Sequence, residues 1–259
     1  MLALALNQVN LTFNAGTVNE VHALKNLNLL MEPGDFVVVI GGNGSGKSTM
    51  LNTVAGTYMP DWGKMVLDNK DITFMPEHIR AKYVGRVFQD PMRGTAPDMT
   101  IEENLALAYR RGNKRSFRRG IKAAERVHYR ELLAHLDLGL EDRLNTRIGL
   151  LSGGQRQSIT LLMATLQNPK ILLLDEHTAA LDPKTAKRVL ELSVKLIEEN
   201  YLTTLMVTHN MSDAIKYGNR LVLMRDGEII FEATGQQKSN LTVSELVDKF
   251  ISAGVEVVV

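Results

Sequence analysis

The residues with the clearest chemical signature form a glycine-rich segment. It reads Gly41-Gly42-Asn43-Gly44-Ser45-Gly46-Lys47-Ser48, followed by Thr49, and fits the pattern G-x-x-x-x-G-K-[ST]. Glycines let the backbone fold into a nest of N–H groups that point at phosphate oxygens, and the helix that starts there adds a positive dipole end. The pattern predicts that Lys47 reaches the β- and γ-phosphates of a nucleotide and that Ser48 binds Mg²⁺. The alternative, a flexible loop beside a solvated lysine, does not explain the strand predicted before the segment and the helix predicted after it.

Polar side chains also follow three other strand-like segments. Asp175 and Glu176 come after an apolar run, His209 after another, and Gln89 after a third. A carboxylate at the end of a buried strand facing a phosphate loop is a normal Mg²⁺ ligand. Two adjacent carboxylates can divide metal binding and base chemistry, because successive strand residues point to opposite sides. The alternatives are a surface salt bridge for Glu176, a hydrogen-bonded strand-end histidine for His209 and a loop hydrogen bond for Gln89.

Two predicted helix starts have polar caps. Ser152 precedes Gly153, Gly154 and Gln155, and Asp182 precedes Pro183 as a favourable N-cap with proline at the first helical position. The first N–H groups of a helix have no partner within it, so the helix that starts at Ser152 can hold a phosphate. The alternative is a plain helix start.

The elements that must position these residues are predicted by hydrophobic pattern and turn residues. Strands are predicted at 4–13, 24–30, 35–40, 64–72 with a turn at Asp68-Asn69, 83–89, 170–174, 203–207, and at 221–225 and 228–233 around Asp226-Gly227. Helices are predicted near 101–109, near 121–136, after Ser152, after Asp182, and after Thr242, which forms a capping box with Glu245. Buried strands that alternate with helices after residue 150 indicate an α/β fold with a mostly parallel sheet.

The segment 91–150 shows no strand pattern and is predicted to be a helical insertion. Thr100 and Glu103 form a capping box at the start of its first helix. Five basic residues would share one face of a continuous helix there: Arg111, Arg115, Arg118, Lys122 and Arg126, with Arg110, Lys114 and Arg119 nearby. This basic stripe has two interpretations, a contact with anionic lipid or acidic protein loops, or a solvated surface. Gly112 and Gly120 weaken the helix prediction.

Length and composition exclude several classes. The chain has 259 residues, 44% of them hydrophobic, which suits one large domain with a packed core. A net charge of +1 argues against a protein dominated by nucleic-acid binding, and zero cysteines exclude a disulfide scaffold, thiolate metal sites and a cysteine nucleophile. Its apolar runs are strand-sized and its start lacks the basic flank of a signal peptide, so we expect any membrane role to come through a partner.

The order of the motifs resembles the ATP-binding subunits of ABC transporters. Leu151-Ser152-Gly153-Gly154-Gln155 stands upstream of residues 171–176, which read Ile-Leu-Leu-Leu-Asp-Glu, and Ala180-Leu181-Asp182 and Val207-Thr208-His209 follow. The resemblance covers roughly residues 3–250. It implies a P-loop NTPase core with an N-terminal antiparallel β subdomain and a helical insertion subdomain. The chain would be a single domain, 1–259: a core at 1–90 and 150–235, a helical subdomain at about 91–150, and a C-terminal helix and tail at 236–259.

The resemblance also implies roles for single residues. Asp175 would hold Mg²⁺ with Ser48 and Gln89, and Gln89 would relay to a permease. Glu176 would be the general base or orient the attacking water, and His209 would contact the γ-phosphate.

Further roles concern the nucleotide base and the partner subunit. Phe13 would stack on adenine, although an ordinary half-buried strand aromatic is the alternative. Ser152, Gly153, Gly154 and Gln155 would contact ATP bound on a second copy, and Asp182 would lie at the dimer seam.

The sequence departs from the family pattern at three positions. His177 replaces the proline usual after the catalytic glutamate, Ala179 a frequent serine, and Gly42 a frequent proline. None removes a catalytic group. We expect His177 to be solvated, with an effect on the neighbouring carboxylate as the alternative.

The function that the resemblance implies is ATP hydrolysis that powers transport through a separate integral membrane permease, more in the manner of an importer. The partners would be a second copy bound head-to-tail around ATP, the permease, and an extracytoplasmic solute-binding protein, with no nucleic acid. The chain would lie peripherally on the cytoplasmic side of the membrane. Residues 175–183 resemble a branch paired with binding proteins for aromatic amino acid-like solutes. The alternatives are an ATPase of the same type serving a soluble assembly, such as iron–sulfur cluster assembly, and a small-molecule phosphotransferase, which would lack the motif at 151–155.

Overall fold

The computed structural model describes residues 2–113 and 120–252. A four-stranded antiparallel sheet has the order β2-β1-β4-β5. Its strands are β1 Leu4–Phe13, β2 Val21–Met31, β4 Trp62–Leu67 and β5 Lys70–Asp71. The second strand begins three residues earlier than predicted, because Val21 and His22 still pair with Phe13 and Thr12.

A six-stranded sheet with the order β10-β9-β3-β8-β7-β6 forms the centre. Its strands are β3 Phe36–Gly41, β6 Val84–Val87, β7 Ile171–Asp175, β8 Thr204–Val207, β9 Arg220–Arg225 and β10 Glu228–Thr234. The first five run parallel to their neighbours, and β10 pairs antiparallel with β9. The predicted mostly parallel sheet is therefore confirmed, as is the N-terminal antiparallel part.

Nine α-helices are described in residues 2–113 and 120–252. They are α1 Lys47–Ala55, α2 Glu77–Arg80, α3 Ile101–Tyr109, α4 Ala123–Ala134, α5 Gly153–Thr165, α6 Pro183–Glu199, α7 Met211–Lys216, α8 Gly235–Ser239 and α9 Val243–Ser252. Short 3-10 turns cover Glu141–Arg143 and Ile148–Leu150. None of the described helices is long and apolar enough to cross a membrane.

The core lies on both faces of the central sheet, as the continuous apolar runs of β3, β7 and β8 require. Val37 and Val39 pack on one side with α1 and the antiparallel sheet, whereas Val38 and Ile40 pack on the other with residues of α5, α6 and α7. Because side chains alternate along a strand, one short run supplies both layers.

The segment around α3 and α4 has a third core cluster of its own, which includes Ile101, Leu105, Tyr129 and Leu133. The predicted capping box is present, with the Glu103 N–H donating to Thr100 Oγ1 and the Thr100 N–H to Glu103 Oε2. This segment is the helical insertion expected from the sequence.

The basic residues from Arg111 to Arg126 do not share one continuous helix, as Gly112 and Gly120 already indicated. The helix α3 ends at Tyr109, Gly112 adopts a left-handed φ of 76°, and α4 begins only at Ala123. Three of the basic residues have structural partners: Arg110 pairs with Glu125, Arg126 with Glu102, and Arg111 donates to the Ala164 carbonyl. Lys114, Arg115, Arg118 and Arg119 lie outside the described residues.

A buried arginine closes the end of the helix that follows the phosphate loop. Arg80 is fully buried, and its guanidinium donates to the carbonyls of Thr53 and Val54 in the last turn of α1. It also donates to the carbonyls of Met75 and Thr73. A cation at this end satisfies carbonyls that have no partner in the helix and complements the helix dipole.

Candidate functional site

The glycine-rich segment forms the connection between β3 and α1. Gly46 is the N-cap of α1 with a φ of 97°, and a Cβ there would lie 2.7 Å from the Ala23 carbonyl oxygen. Only glycine fits this left-handed position at such close approach. The loop therefore ends where the predicted helix begins, and the free N–H groups of the first turn of α1 face the region around Lys47.

The Lys47 side chain is buried against its own loop. Its Nζ donates to the carbonyl oxygens of Gly41 at 2.9 Å and Gly42 at 2.8 Å. Burial lowers the pKa of Lys47, and the carboxylates of Glu176 and Asp175 partly oppose this change. The ammonium is thus held within the loop and close to both carboxylates, where it can meet phosphate oxygens.

Two side-chain oxygens that could bind a metal meet beside the loop. Ser48 Oγ donates to Asp175 Oδ1 at 3.3 Å, which joins the start of α1 to the end of β7. Burial raises the pKa of Asp175, and the positive charge of Arg86 opposes that rise. A hydroxyl and a carboxylate are hard ligands that suit Mg²⁺, which usually takes few protein ligands and completes its shell with phosphate oxygens and water. Among the described residues, no group of three or more His, Asp or Glu side chains that could hold a metal ion occurs.

Arg86 is a residue of this site that sequence reasoning missed. It lies on β6 with its guanidinium 3.8 Å from Asp175 Oδ2, donates to Asn52 Oδ1 at 2.7 Å, and covers the Phe88 ring. The available signal was an arginine inside a strand whose neighbours are all apolar, since such a residue needs a buried partner.

Glu176 and His209 meet at the ends of the adjacent strands β7 and β8. His209 Nε2 lies 2.5 Å from Glu176 Oε1, and the Glu176 N–H donates to the Val207 carbonyl. Glu176 has a φ of 45°, a left-handed conformation that a glutamate rarely adopts and that is common at functional sites. The backbone turn separates its side chain from that of Asp175, as the division into metal ligand and base requires.

Gln89 is exposed two residues beyond β6. Because Val87 aligns with Leu174 in the parallel pair of β6 and β7, Gln89 falls at the same sheet edge as Glu176. The structure therefore brings Lys47, Ser48, Gln89, Asp175, Glu176 and His209 to one edge of the central sheet.

His177 is not solvated, and the prediction for it is wrong. Its side chain is 2% exposed, and Nε2 lies 2.9 Å from Ser193 Oγ on α6. Burial lowers the pKa of His177 to about 4, so the imidazole is neutral at physiological pH and does not act on Glu176 by charge. The turn after Glu176 leads the chain inward between α5 and α6, where a hydroxyl is available as a partner.

Ser152 is the N-cap of α5. Ser152 Oγ accepts from the Gln155 N–H, and the Gln155 side chain accepts from the Ser152 N–H, which completes a capping box. A Cβ on Gly154 would lie 2.2 Å from Thr185 Cγ2 on α6. Asp182 caps α6 through the Thr185 N–H, as predicted, and hydrogen bonds from the Thr185 side chain and then from its N–H lower the pKa of Asp182.

Phe13 ends β1 and is half-buried. Its ring contacts Tyr58 edge-to-face, with centroids 5.1 Å apart. A stacking role toward adenine remains a prediction, and Tyr58 is the aromatic neighbour that would steady the ring.

Comparison with known proteins identifies the class. The family described as ABC transporter matches residues 24–179. A tyrosine transport ATP-binding protein of Clostridioides difficile is 45% identical over 226 residues, which cover 87% of this chain and 90% of that protein. The chain belongs to the ATP-binding subunits of ABC transporters, and it is an ATP-binding ATPase of that family.

Other relatives agree on the fold and on the assignment. A methionine import ATP-binding protein of Enterococcus faecalis is 34% identical over 97% of this chain and 70% of its own length. A dimeric ATP-binding cassette of Methanocaldococcus jannaschii, solved with ADP and Pi, superimposes with a TM-score of 0.74 at 34% identity and covers 89% of this chain and 98% of the other. The α/β fold predicted from the sequence is confirmed by these structures.

Proposed function

We propose that this ATPase pairs with a second copy around ATP and powers import through a separate membrane permease. The observation that carries the proposal is the meeting of Glu176 with His209 at 2.5 Å, beside the pair of Ser48 and Asp175 at 3.3 Å. Both pairs lie at the sheet edge that the phosphate loop joins. A base, an orienting histidine, metal ligands and a phosphate cradle are the parts that in-line attack of water on a phosphoryl group needs.

The proposed mechanism gives each group one task. Lys47 and the loop N–H groups bind the β- and γ-phosphates, and Glu176 accepts the proton of the attacking water or orients it. His209 holds the Glu176 carboxylate and the γ-phosphate oxygen in register. Ser48, Asp175 and Gln89 would hold Mg²⁺, which supplies charge neutralisation at the β- and γ-phosphates.

A second copy would complete each site. The helix start at Ser152 presents N–H groups and a positive dipole end, and its capping box uses the N–H groups of Ser152 and Gln155. The N–H groups of Gly153 and Gly154, which lie between those two residues, would meet the γ-phosphate bound by a partner, with Ser152 and Gln155 alongside and Asp182 at the seam. The dimeric state of the related cassette supports this arrangement. Phe13 would stack on adenine.

Transport would need a permease on another chain, because no described helix is long and apolar enough to cross a membrane. Relatives named as methionine and sulfate/thiosulfate import proteins support the import direction. The 45% identical relative is named for tyrosine transport, so we propose an aromatic amino acid or a similar solute as the cargo. The chain would then lie peripherally on the cytoplasmic face of the membrane, in one system with the permease and an extracytoplasmic solute-binding protein.

The test of the site uses Glu176→Gln with Mg-ATP in gel filtration and in a phosphate-release assay. We expect hydrolysis to fall at least about 100-fold and an ATP-dependent dimer to appear, because the loss of a general base slows the chemistry without weakening ATP binding. The matched control is Glu199→Gln, an exposed position on α6 that should behave as wild type. A second change, Ser152→Arg in the Glu176→Gln background, should abolish the dimer while each chain still binds ATP.

Normal turnover by Glu176→Gln would contradict the assigned base. A dimer that survives Ser152→Arg would contradict the role of the second copy. Purification from detergent-solubilised membranes tests the partner: a polytopic permease should co-elute, whereas a soluble complex in its place would favour the cytosolic assembly alternative.

A further inference from the structure

Gln157 is a fully buried amide in the second turn of α5. Its Nε2 donates to two backbone carbonyls, that of Phe88 at 3.1 Å and that of His177 at 2.7 Å. Phe88 immediately precedes Gln89, and His177 immediately follows Glu176. One side chain thus ties together the two backbone segments that carry the proposed metal ligand and the proposed base.

The position of this bridge matters because the strand pairing stops short of it. The last aligned pair between β6 and β7 is Val87 with Leu174. Beyond that pair, hydrogen bonds between β6 and β7 no longer fix the distance between the two backbone segments. The Gln157 amide spans the two segments beyond the ladder, at Phe88, one residue past Val87, and at His177, three residues past Leu174.

Gln157 acts only as a donor. Both N–H groups of its amide are used, whereas Oε1 is buried without a hydrogen-bond partner among the described residues. A buried acceptor without a partner is unfavourable, so the amide is held here for its two donor bonds and not because it is fully satisfied.

His177 is anchored on its other side as well. Ser193 Oγ donates to the Val189 carbonyl at 2.8 Å, so the imidazole N–H is the donor in the contact with Ser193. The residue after Glu176 is therefore fixed by its carbonyl to α5 and by its side chain to α6.

We propose that Gln157 is a positioning residue for ATP hydrolysis. Its carboxamide sets the distance between the backbone segment that carries Gln89 and the backbone segment that carries Glu176, and so places the base against the attacking water. This inference rests on the proposed function, in which Glu176 and Gln89 serve the reaction. Gln157 itself touches neither nucleotide nor water.

The test compares Gln157→Met with Gln157→Lys in steady-state ATP hydrolysis. Methionine has a similar volume and no donor, so kcat should fall about 10- to 100-fold, the cost of a misplacement on the order of 1 Å. KM for ATP should change less than about 2-fold, because the phosphate loop is untouched. Lysine restores donors and should keep kcat within about 3-fold of wild type. Lys238 shows that this fold accepts a buried ammonium on backbone carbonyls, since its Nζ donates to Ile215, Tyr217 and Gly218.

Hydrogen exchange supplies a second readout. In Gln157→Met the amides just after Phe88 and His177 should exchange faster, while those of the phosphate loop should keep the wild-type rate. The matched control is Gln167→Met. It removes the hydrogen bond from the Gln167 side-chain amide to the Tyr109 carbonyl, away from the site, and should leave kcat unchanged.

Wild-type kcat in Gln157→Met, or equal losses in the Met and Lys variants, would overturn the inference. If the Met variant does not fold, the Lys variant decides: a folded Lys variant with wild-type kcat and exchange supports the role, and one that has lost more than about 10-fold in kcat refutes it. Glu176→Gln in the same assay separates the two proposals. If that variant is inactive and Gln157→Met is not, only the inference about Gln157 fails.

Discussion

We expect Arg80→Met to lower the free energy of unfolding by about 3 kcal/mol. The change removes four hydrogen bonds to backbone carbonyls, two of them in the last turn of α1. Methionine keeps much of the aliphatic stem, so the loss of packing is small and the lost hydrogen bonds dominate. The phosphate loop lies at the other end of the same helix.

The magnitude follows from two opposing contributions. The Thr53 carbonyl also accepts from the Gly56 N–H, so three carbonyls are left without a donor. Each costs about 1–3 kcal/mol, so the three together cost about 6 kcal/mol. Burial lowers the pKa of Arg80 to about 10, and at about 1.36 kcal/mol per pKa unit this shift is a penalty of about 3 kcal/mol that methionine relieves. The difference is the expected loss.

Urea unfolding followed by circular dichroism, without nucleotide, measures this loss. Arg80→Lys should recover about half of it, because an ammonium keeps the charge but cannot match the fork of a guanidinium. Arg188→Met, at an exposed position on α6, should stay within about 0.5 kcal/mol of wild type. A destabilisation below about 1 kcal/mol for Arg80→Met would refute the reasoning, since the carbonyls would then have found other donors.

Two further predictions concern the region behind the site. The folded pKa of His177 is about 4 and the ordinary value is 6.5, so stability falls as pH drops through this window, by about 1.4 kcal/mol at pH 5.5 and about 3 kcal/mol below pH 4. His177→Gln should remove this part of the pH dependence in urea titrations with EDTA present, and His135→Gln, at an exposed position, should not; a slope unchanged in His177→Gln would contradict the burial argument. Gly154→Ala should cost about 2 kcal/mol and lower hydrolysis, because the new Cβ meets Thr185 Cγ2 at 2.2 Å. The double variant Gly154→Ala/Thr185→Ser removes that methyl and should recover both, and a failure to recover would show that the clash is not the cause.

Local signals predicted much of the fold. Capping boxes place helix starts at Thr100 and Ser152, and a proline after Asp182 marks the start of α6. The turn at Asp226-Gly227 has the two positive φ angles that its sequence indicated. Each of these patterns acts within four residues, so the chain itself carries the information.

The site residues that follow predicted strands could be predicted from the sequence. Parallel strands bring their carboxyl ends to one edge, so residues after β3, β7 and β8 meet whatever the details of packing. The side chains that hold these residues in place could not be predicted. Gln157 bonds to carbonyls 20 and 69 positions away, and carbonyls carry no side-chain signature.

The burial of His177 could not be predicted either, because its partner is distant in the sequence. A histidine after two carboxylates suggests a solvated or charge-paired group, but its partner is a hydroxyl on α6, sixteen residues further along. The basic residues do not form one helical face for another reason. Gly112 takes a left-handed φ, which ends the helical periodicity before such a face can form.

Three buried cations bind backbone carbonyls. Arg80, Lys238 and Lys47 are each at most 5% exposed, yet all three donate mainly to backbone carbonyls and not to carboxylates. Arg80 does so at the end of α1 and Lys238 at the end of α7, where carbonyls lack helical partners and the dipole is negative. Lys47 does so within the phosphate loop, so the same chemistry that closes two helices also holds the lysine proposed to meet the nucleotide. A carbonyl neutralises no charge, so Lys47 keeps its positive charge within the loop, although the carboxylates of Glu176 and Asp175 lie close enough to act on it.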